Sequence, residues 1–285
     1  MNIKNYAEQN QEAWNEAAGV HRKSRKIDYK EAFKDKKFSV LDNVLTSLLE
    51  KIPLQRKKVA QLCCNNGREL LSIVNTMDAI GIGFDISDEF IAEAKIIAQS
   101  AKLDCSFVRI DINKITNRYD SKFDLVLLTA GALTWFHDLG RLFNVVSRLL
   151  KIEGYLLIYE IHPFTNLIAW QGESEYDISN PYKIIYKYFR NTPWINNDGA
   201  DYIGKTTYKS KTFVSFAHKL SDIITAISVN NIIIKEFKEY PHDVSGHLDY
   251  LEQDRILPFS YTMIGQKKKR GDGSLFDGKN RINTI

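Results

Sequence analysis

The stretch Val59-Ala-Gln-Leu-Cys-Cys-Asn-Asn-Gly-Arg-Glu69, followed by Ile80-Gly-Ile-Gly-Phe-Asp85, constrains this chain more than any other. It reads as a buried strand, a tight turn, a helix, and a second strand that ends on an acid. A strand–helix–strand unit of this length needs a crossover, so its two strands run parallel. Such units hold nucleotide-like ligands at the carboxyl edge of an open sheet, where the turn offers backbone N–H groups and the acid takes ribose hydroxyls. Gly67 and Asp85 lie 18 positions apart, close to the roughly 20 of dinucleotide-binding folds. The G-x-G-x-x-G pattern is nevertheless absent: only Gly67 stands in the turn, after Asn65 and Asn66. A pyrophosphate needs close backbone approach with no Cβ in the way, so a nicotinamide dinucleotide fits poorly. A ligand with a ribose and no phosphate fits better, and S-adenosylmethionine is such a ligand.

The rest of the chain repeats the rhythm. Strands are expected at 58–64, 80–85, 105–110, 123–129 and 154–161, and helices at 67–76, 87–101 and 138–150. Short apolar strands such as Phe123-Asp-Leu-Val-Leu-Leu-Thr129 suit a parallel sheet covered on both faces. Before this unit, residues 6–23 read as a helix, and Ser39–Leu49 as another that Pro53 closes. Ser87 is placed to cap the helix after it. From His162 to about His218 the alternation stops. This segment is rich in Tyr, Phe, Trp, Asn and Lys, too aromatic for a linker and too long for a plain loop. It reads as an insertion packed over the sheet edge. A helix at 219–229 and strands at 231–239 and 258–265 follow, the last without a helix before it. The expected organisation is an N-terminal helical lid (1–38), a catalytic α/β domain (39–266, with the cap insertion 162–218) and a flexible tail (267–285).

Composition narrows the class. The chain has 285 residues, 44% hydrophobic and 26% charged, with a net charge of +4. That is an ordinary globular composition. The basic residues are dispersed apart from Lys267-Lys-Lys-Arg270, so nucleic acid is disfavoured as a partner. No apolar run is long enough to span a membrane, and Met1-Asn-Ile-Lys-Asn-Tyr6 carries no apolar signal region. Three cysteines, two of them adjacent, make no disulfide framework, and a cytoplasmic location is expected. Cys63 and Cys64, at a strand end, point to opposite sides and cannot share a metal; no metal site is expected.

Three further motifs carry a resemblance. They are Gly131-Ala-Leu-Thr-Trp135 after the fourth strand, Glu160-Ile-His-Pro-Phe164 after the fifth, and Phe216-Ala-His-Lys-Leu220 at a helix start. With the strand–turn–acid unit, they make residues 40–265 resemble the class I S-adenosylmethionine-dependent methyltransferases, most closely a bacterial branch. The resemblance implies a Rossmann-like, doubly wound α/β fold: a seven-stranded sheet with its last strand antiparallel and helices on both faces. It implies S-adenosylmethionine as cofactor, with Cys63, Cys64, Asn65 and Gly67 cradling its methionine and ribose. Asp85 would bond the ribose hydroxyls and Ile86 would pack on the adenine. Asp111, with Ile112 beside it, would read the adenine amino edge. Thr129, Ala130 and Gly131 would line the carboxypropyl side and the methyl. The chain departs from the family at Gln61, where an acid is common, and at Cys63 and Asn65, where glycines are common.

The acceptor side is less defined. His162 follows the fifth strand and could serve as a general base, although His-Pro also reads as a chain-turning pair. Tyr6, Trp14, Trp135 and Tyr186 are candidates for the substrate pocket, with core packing as the alternative. The function expected is methyl transfer to an oxygen or nitrogen of a small molecule by in-line displacement. Methyl transfer to RNA and non-catalytic binding of S-adenosylmethionine remain the alternatives, and self-association as a homodimer stays open.

Overall fold

The computed structural model describes residues 5–269. In chain order the elements are α1 (Tyr6–Ser24), α2 (Tyr29–Ala32), α3 (Asn43–Leu49), β1 (Lys58–Leu62), α4 (Arg68–Met77), β2 (Ile80–Asp85), α5 (Asp88–Ala101), β3 (Cys105–Arg109), β4 (Phe123–Leu128), α6 (Leu139–Leu149), β5 (Leu150–Ile161), β6 (Trp194–Asn196), β7 (Phe213–Ser215), α7 (Leu220–Ser228), β8 (Ile232–Tyr240) and β9 (Ser260–Lys267). Seven strands form one sheet in the order β3-β2-β1-β4-β5-β9-β8. The first five run parallel, and β9 lies antiparallel between β5 and β8. The doubly wound sheet expected from the sequence is therefore present, its last strand antiparallel.

Strand alternation explains the two-sided core. Val59, Leu125, Leu127, Leu157 and Tyr159 face a cluster built with α3, α4 and α5. Ala60, Leu62, Val126, Leu128, Leu156 and Ile158 face the opposite cluster, built with α6 and α7. A side-chain period of two sends neighbours to opposite faces, and each fully buried Leu or Ile contributes about 1.5–3 kcal/mol. The alternation stops at the end of β1: Leu62 and Cys63 both pack on the second cluster and Cys64 on the first, because Cys63 leaves the extended conformation at a φ of 55°.

The structure moves one boundary and adds two elements. The helix expected from Ser39 begins only at Asn43, because the Asp42 carboxylate accepts from Leu45 N–H and caps it there. Val40 and Leu41 precede it and line a cavity instead. A 3-10 turn, Asp249–Asp254, interrupts the connection from β8 to β9. The insertion contains the two-stranded antiparallel pair β6–β7, whose short strands give no alternation to read. Of the expected tail, Lys267 closes β9 and Lys268 pairs with Glu153 at 2.5 Å; residues 270–285 lie outside those described. No described helix is long and apolar enough to cross a membrane.

Candidate active site

The strand order reverses between β1 and β4, the point where open α/β sheets bind ligands. A cavity of about 1470 Å³ opens there, larger than the roughly 300–1000 Å³ of a typical ligand site. It has room for two ligands side by side. The ends of β1, β2, β4 and β5 form its floor, with the loop after β3.

The turn after β1 keeps its shape without the family's glycines. Cys63 and Asn65 adopt positive φ (55° and 52°), as does Gly67 (74°). Asn tolerates this conformation better than most residues. Gly67 has no substitute: a Cβ there would lie 2.3 Å from the Phe107 ring. Asp85 braces the turn from the next strand. Its carboxylate accepts from Asn65 N–H at 2.8 Å and Ser87 N–H at 2.9 Å. The helix cap itself is Ser87, whose hydroxyl accepts from Phe90 N–H at 3.2 Å, so Asp85 is not merely a capping residue. Burial raises the Asp85 carboxyl above its ordinary range, and the backbone donors of Ser87 and Asn65 pull it back.

Cys63, Asn65, Asp85, Ile86, Asp111, Ile112, Thr129, Ala130 and Gly131 all line the cavity. Cys64 and Gly67 do not; Cys64 is wholly buried and Gly67 shapes the turn from behind. Asn113, in the same wall as Asp111, keeps a buried Oδ1 with no hydrogen-bond partner. Gln61, at the family's acid position, donates to Thr129 Oγ1 at 3.1 Å and leaves its own Oε1 unpaired.

His162 is not brought to the cavity. Its side chain is 0% exposed. Phe164 N–H donates to Nδ1 at 3.2 Å, and Nε2 donates to Glu239 Oε1 at 2.9 Å. Burial lowers its pKa against the pull of Glu239. Both ring nitrogens are thus engaged in capping the 3-10 turn Pro163–Leu167 and tying it to β8. Glu160, two residues earlier in the same motif, lines the cavity instead. Its carboxylate accepts from the N–H groups of Gly131, Leu133 and Ile161 at 2.8–2.9 Å. Desolvation pushes its pKa up to about 7, opposed by those backbone donors. The site residue of this motif is the glutamate and not the histidine expected from the sequence, and its signal is an acid ending a buried strand at the carboxyl edge.

Tyr6, Trp14, Trp135 and Tyr186 all line the cavity. Trp14 packs edge-on to Trp135 and Phe213, with ring centroids 5.1 Å apart in each case. The α1 helix is fastened over the cavity by Asn10, whose amide donates to Val214 O and accepts from Val214 N–H, both at 2.8 Å. His21 Nε2 donates to Ala200 O at 2.6 Å. From the insertion, Tyr202 reaches the turn after β1, accepting from Asn65 Nδ2 at 3.0 Å. The roof has a third part that the sequence did not show: Val244 to Asp249, between β8 and β9, also lines the cavity.

The family model described as a methyltransferase domain matches residues 55–197. No curated protein matches the chain. Among solved structures, an S-adenosylmethionine-dependent methyltransferase from Mesorhizobium loti is similar at 17% identity and a TM-score of 0.56, covering 78% of this chain and 96% of its own. One from Clostridium acetobutylicum is similar at 15% identity and a TM-score of 0.55, covering 90% and 99%. Geranyl diphosphate C-methyltransferase from Streptomyces coelicolor A3(2) is similar at 11% identity and a TM-score of 0.58, covering 94% and 100%. These likenesses are of fold. The family match spans half of the chain and falls on the sheet edge just described, so this protein belongs to the methyltransferase domain family, as a class I S-adenosylmethionine-dependent methyltransferase.

Proposed function

We propose that this protein acts in the cytoplasm, moving a methyl group from S-adenosylmethionine to an oxygen or nitrogen of a small molecule. The observation that carries the reading is the cavity of about 1470 Å³, floored by the strand ends and roofed by α1, the insertion and the β8–β9 connection.

The residues present fit an adenosyl ligand. Asp85 offers a carboxylate to ribose hydroxyls at the end of β2. Asn113 Oδ1 is an unpaired acceptor beside Asp111, suited to an adenine amino group. Ile86 and Ile112 supply apolar walls for the base. Arg68 lies in the same wall, paired with Glu69 at 2.8 Å. When bound, the sulfonium of the donor supplies a methyl already activated for displacement. The protein has to align the acceptor and exclude water. We assign alignment to Trp135, Tyr6 and Tyr186, and exclusion of water to α1 as lid and residues 162–218 as cap. Glu160 holds the Gly131–Leu133 loop in place through its backbone hydrogen bonds.

The test is calorimetric titration with S-adenosylmethionine, S-adenosylhomocysteine and NAD in parallel. The reading expects micromolar binding of both adenosyl ligands and none of NAD. Silence from the adenosyl ligands overturns it.

A further inference from the structure

The chain is net basic, yet its cavity is acidic. Asp85, Glu160, Glu173, Glu175, Asp198 and Asp201 line the wall, and none has a Lys or Arg partner among the described residues. Among the described residues the wall holds two Lys or Arg side chains, and both are already paired: Arg68 with Glu69 at 2.8 Å and Lys205 with Asp249 at 3.0 Å. Arg190 stacks on Trp194 at 3.7 Å from outside the wall and donates to the carbonyl oxygens of Thr192 and Pro193. An anion entering this cavity would meet carboxylates and no free positive partner. A cation would meet uncompensated negative charge, and three of these acids, Asp85, Glu160 and Asp201, are buried, where attraction is stronger than in water.

A second observation is independent of charge. Tyr261 is 0% exposed and lines the cavity, and its hydroxyl has no hydrogen-bond partner. It stands opposite Glu160 in the β5–β9 register. A buried hydroxyl left unpaired is costly unless a ligand completes it. A donor placed between the Tyr261 oxygen and the Glu160 carboxylate would satisfy both. The third observation is aromatic: all four tryptophans of the chain line the same cavity, and ring faces attract cations.

Resting on the methyltransferase reading above, we propose that the acceptor is a basic amine joined to an aromatic or alicyclic group, docked as its ammonium against Glu160 and Tyr261 and methylated on nitrogen. The ammonium passes one proton to the Glu160 carboxylate, which becomes the neutral acid. The freed nitrogen pair attacks the donor's methyl carbon in line. The N–C bond forms as the C–S bond breaks, and that electron pair returns to sulfur. A neutral thioether and a cationic methylated amine result, so charge and atoms balance. Glu160, with its carboxyl raised to about 7 by burial, can exchange that proton near neutral pH.

The test uses the full chain saturated with S-adenosylhomocysteine and follows tryptophan fluorescence. Benzylamine, benzyl alcohol and benzoate are titrated at neutral pH as cation, neutral and anion of one shape. Benzylamine is expected to bind at least about tenfold more tightly than benzyl alcohol, with benzoate weakest. Tyr261→Phe keeps the ring and removes only the hydroxyl; it is expected to cut benzylamine affinity about fivefold with S-adenosylhomocysteine affinity unchanged. Glu160→Gln is expected to abolish the preference for the cation. Benzylamine that binds no better than benzyl alcohol or benzoate, or not at all, overturns this inference alone. Unchanged benzylamine affinity in Tyr261→Phe overturns the docking site. Failure of S-adenosylhomocysteine to bind breaks the proposed function and this inference with it.

Discussion

The floor and the roof of the cavity are built on different principles. The floor is made where consecutive parallel strands end, and its residues fall into place because β1, β2 and β4 sit side by side. Its geometry lives in the backbone: three positive φ angles in one turn, and an aspartate bonded to two N–H groups. The roof is assembled from α1, the insertion and the β8–β9 connection, which are distant in sequence. Side chains lock it to backbone far away, as Asn10 is to Val214, 204 residues on, and His21 to Ala200, 179 residues on. The difference teaches that the turn's shape rests on backbone conformation, which Cys63 and Asn65 supply in place of glycines. The roof's shape rests instead on long-range side-chain contacts.

That comparison breaks most readily at the floor. Gly67→Ala would force a Cβ to 2.3 Å from the Phe107 ring at a φ of 74°. A loss of about 2–4 kcal/mol of stability is expected in denaturant titration, with donor binding lost. Normal stability would mean that the turn is softer than its geometry implies. Asp85→Ala should weaken S-adenosylhomocysteine binding by at least about tenfold, or about 1.4 kcal/mol, by calorimetry. An unchanged affinity would remove Asp85 from the donor site.

The roof should respond on the acceptor side alone. Asn10→Ala deletes both bonds to Val214 and should raise the acceptor KM about fivefold, roughly 1 kcal/mol, while donor affinity holds. A matching loss of donor affinity would mean that floor and roof are one unit.

Between the two lies Glu160. Its folded carboxyl stands at about 7 against an ordinary 4.5. In that window the folded chain holds more protons than the unfolded one, so this group's contribution to stability falls as pH rises from about 4.5 to about 7. The thermal midpoint of the ligand-free protein should therefore decline across the window more steeply than that of Glu160→Gln. Parallel profiles would place Glu160 in contact with water. The smallest effect on turnover is expected from His162→Ala. With both ring nitrogens engaged away from the cavity, its kcat should stay within about threefold of the parent, although folding stability drops by about 1–3 kcal/mol. A loss of roughly 100-fold in kcat at unchanged donor affinity would restore it as the base.

Much of the floor was legible in the chain. Strand ends at Leu62, Asp85 and Leu128 follow from apolar runs that stop at turn residues, and those runs need no knowledge of the rest of the fold. The chain departs from the family at Cys63 and Asn65, but residue type alone does not report φ. The structure shows Cys63 and Asn65 taking the left-handed conformation themselves. The early start expected for the helix at Ser39 failed because an apolar pattern cannot say where a cap will form, and Asp42 decided that.

By itself, then, the sequence determined the alternation of strands and helices, the parallel sheet, the acid at the end of β2 and the class of donor. These depend on local periodicity and on turn chemistry spaced within a few tens of residues. Only the tertiary structure decided that Glu160 rather than His162 meets the cavity, that Tyr261 stands unpaired beside it, and that the wall is acidic in a basic chain. Those facts depend on which side chains distant segments bring together, and on burial. Neither leaves a period or a spacing to be read along the chain.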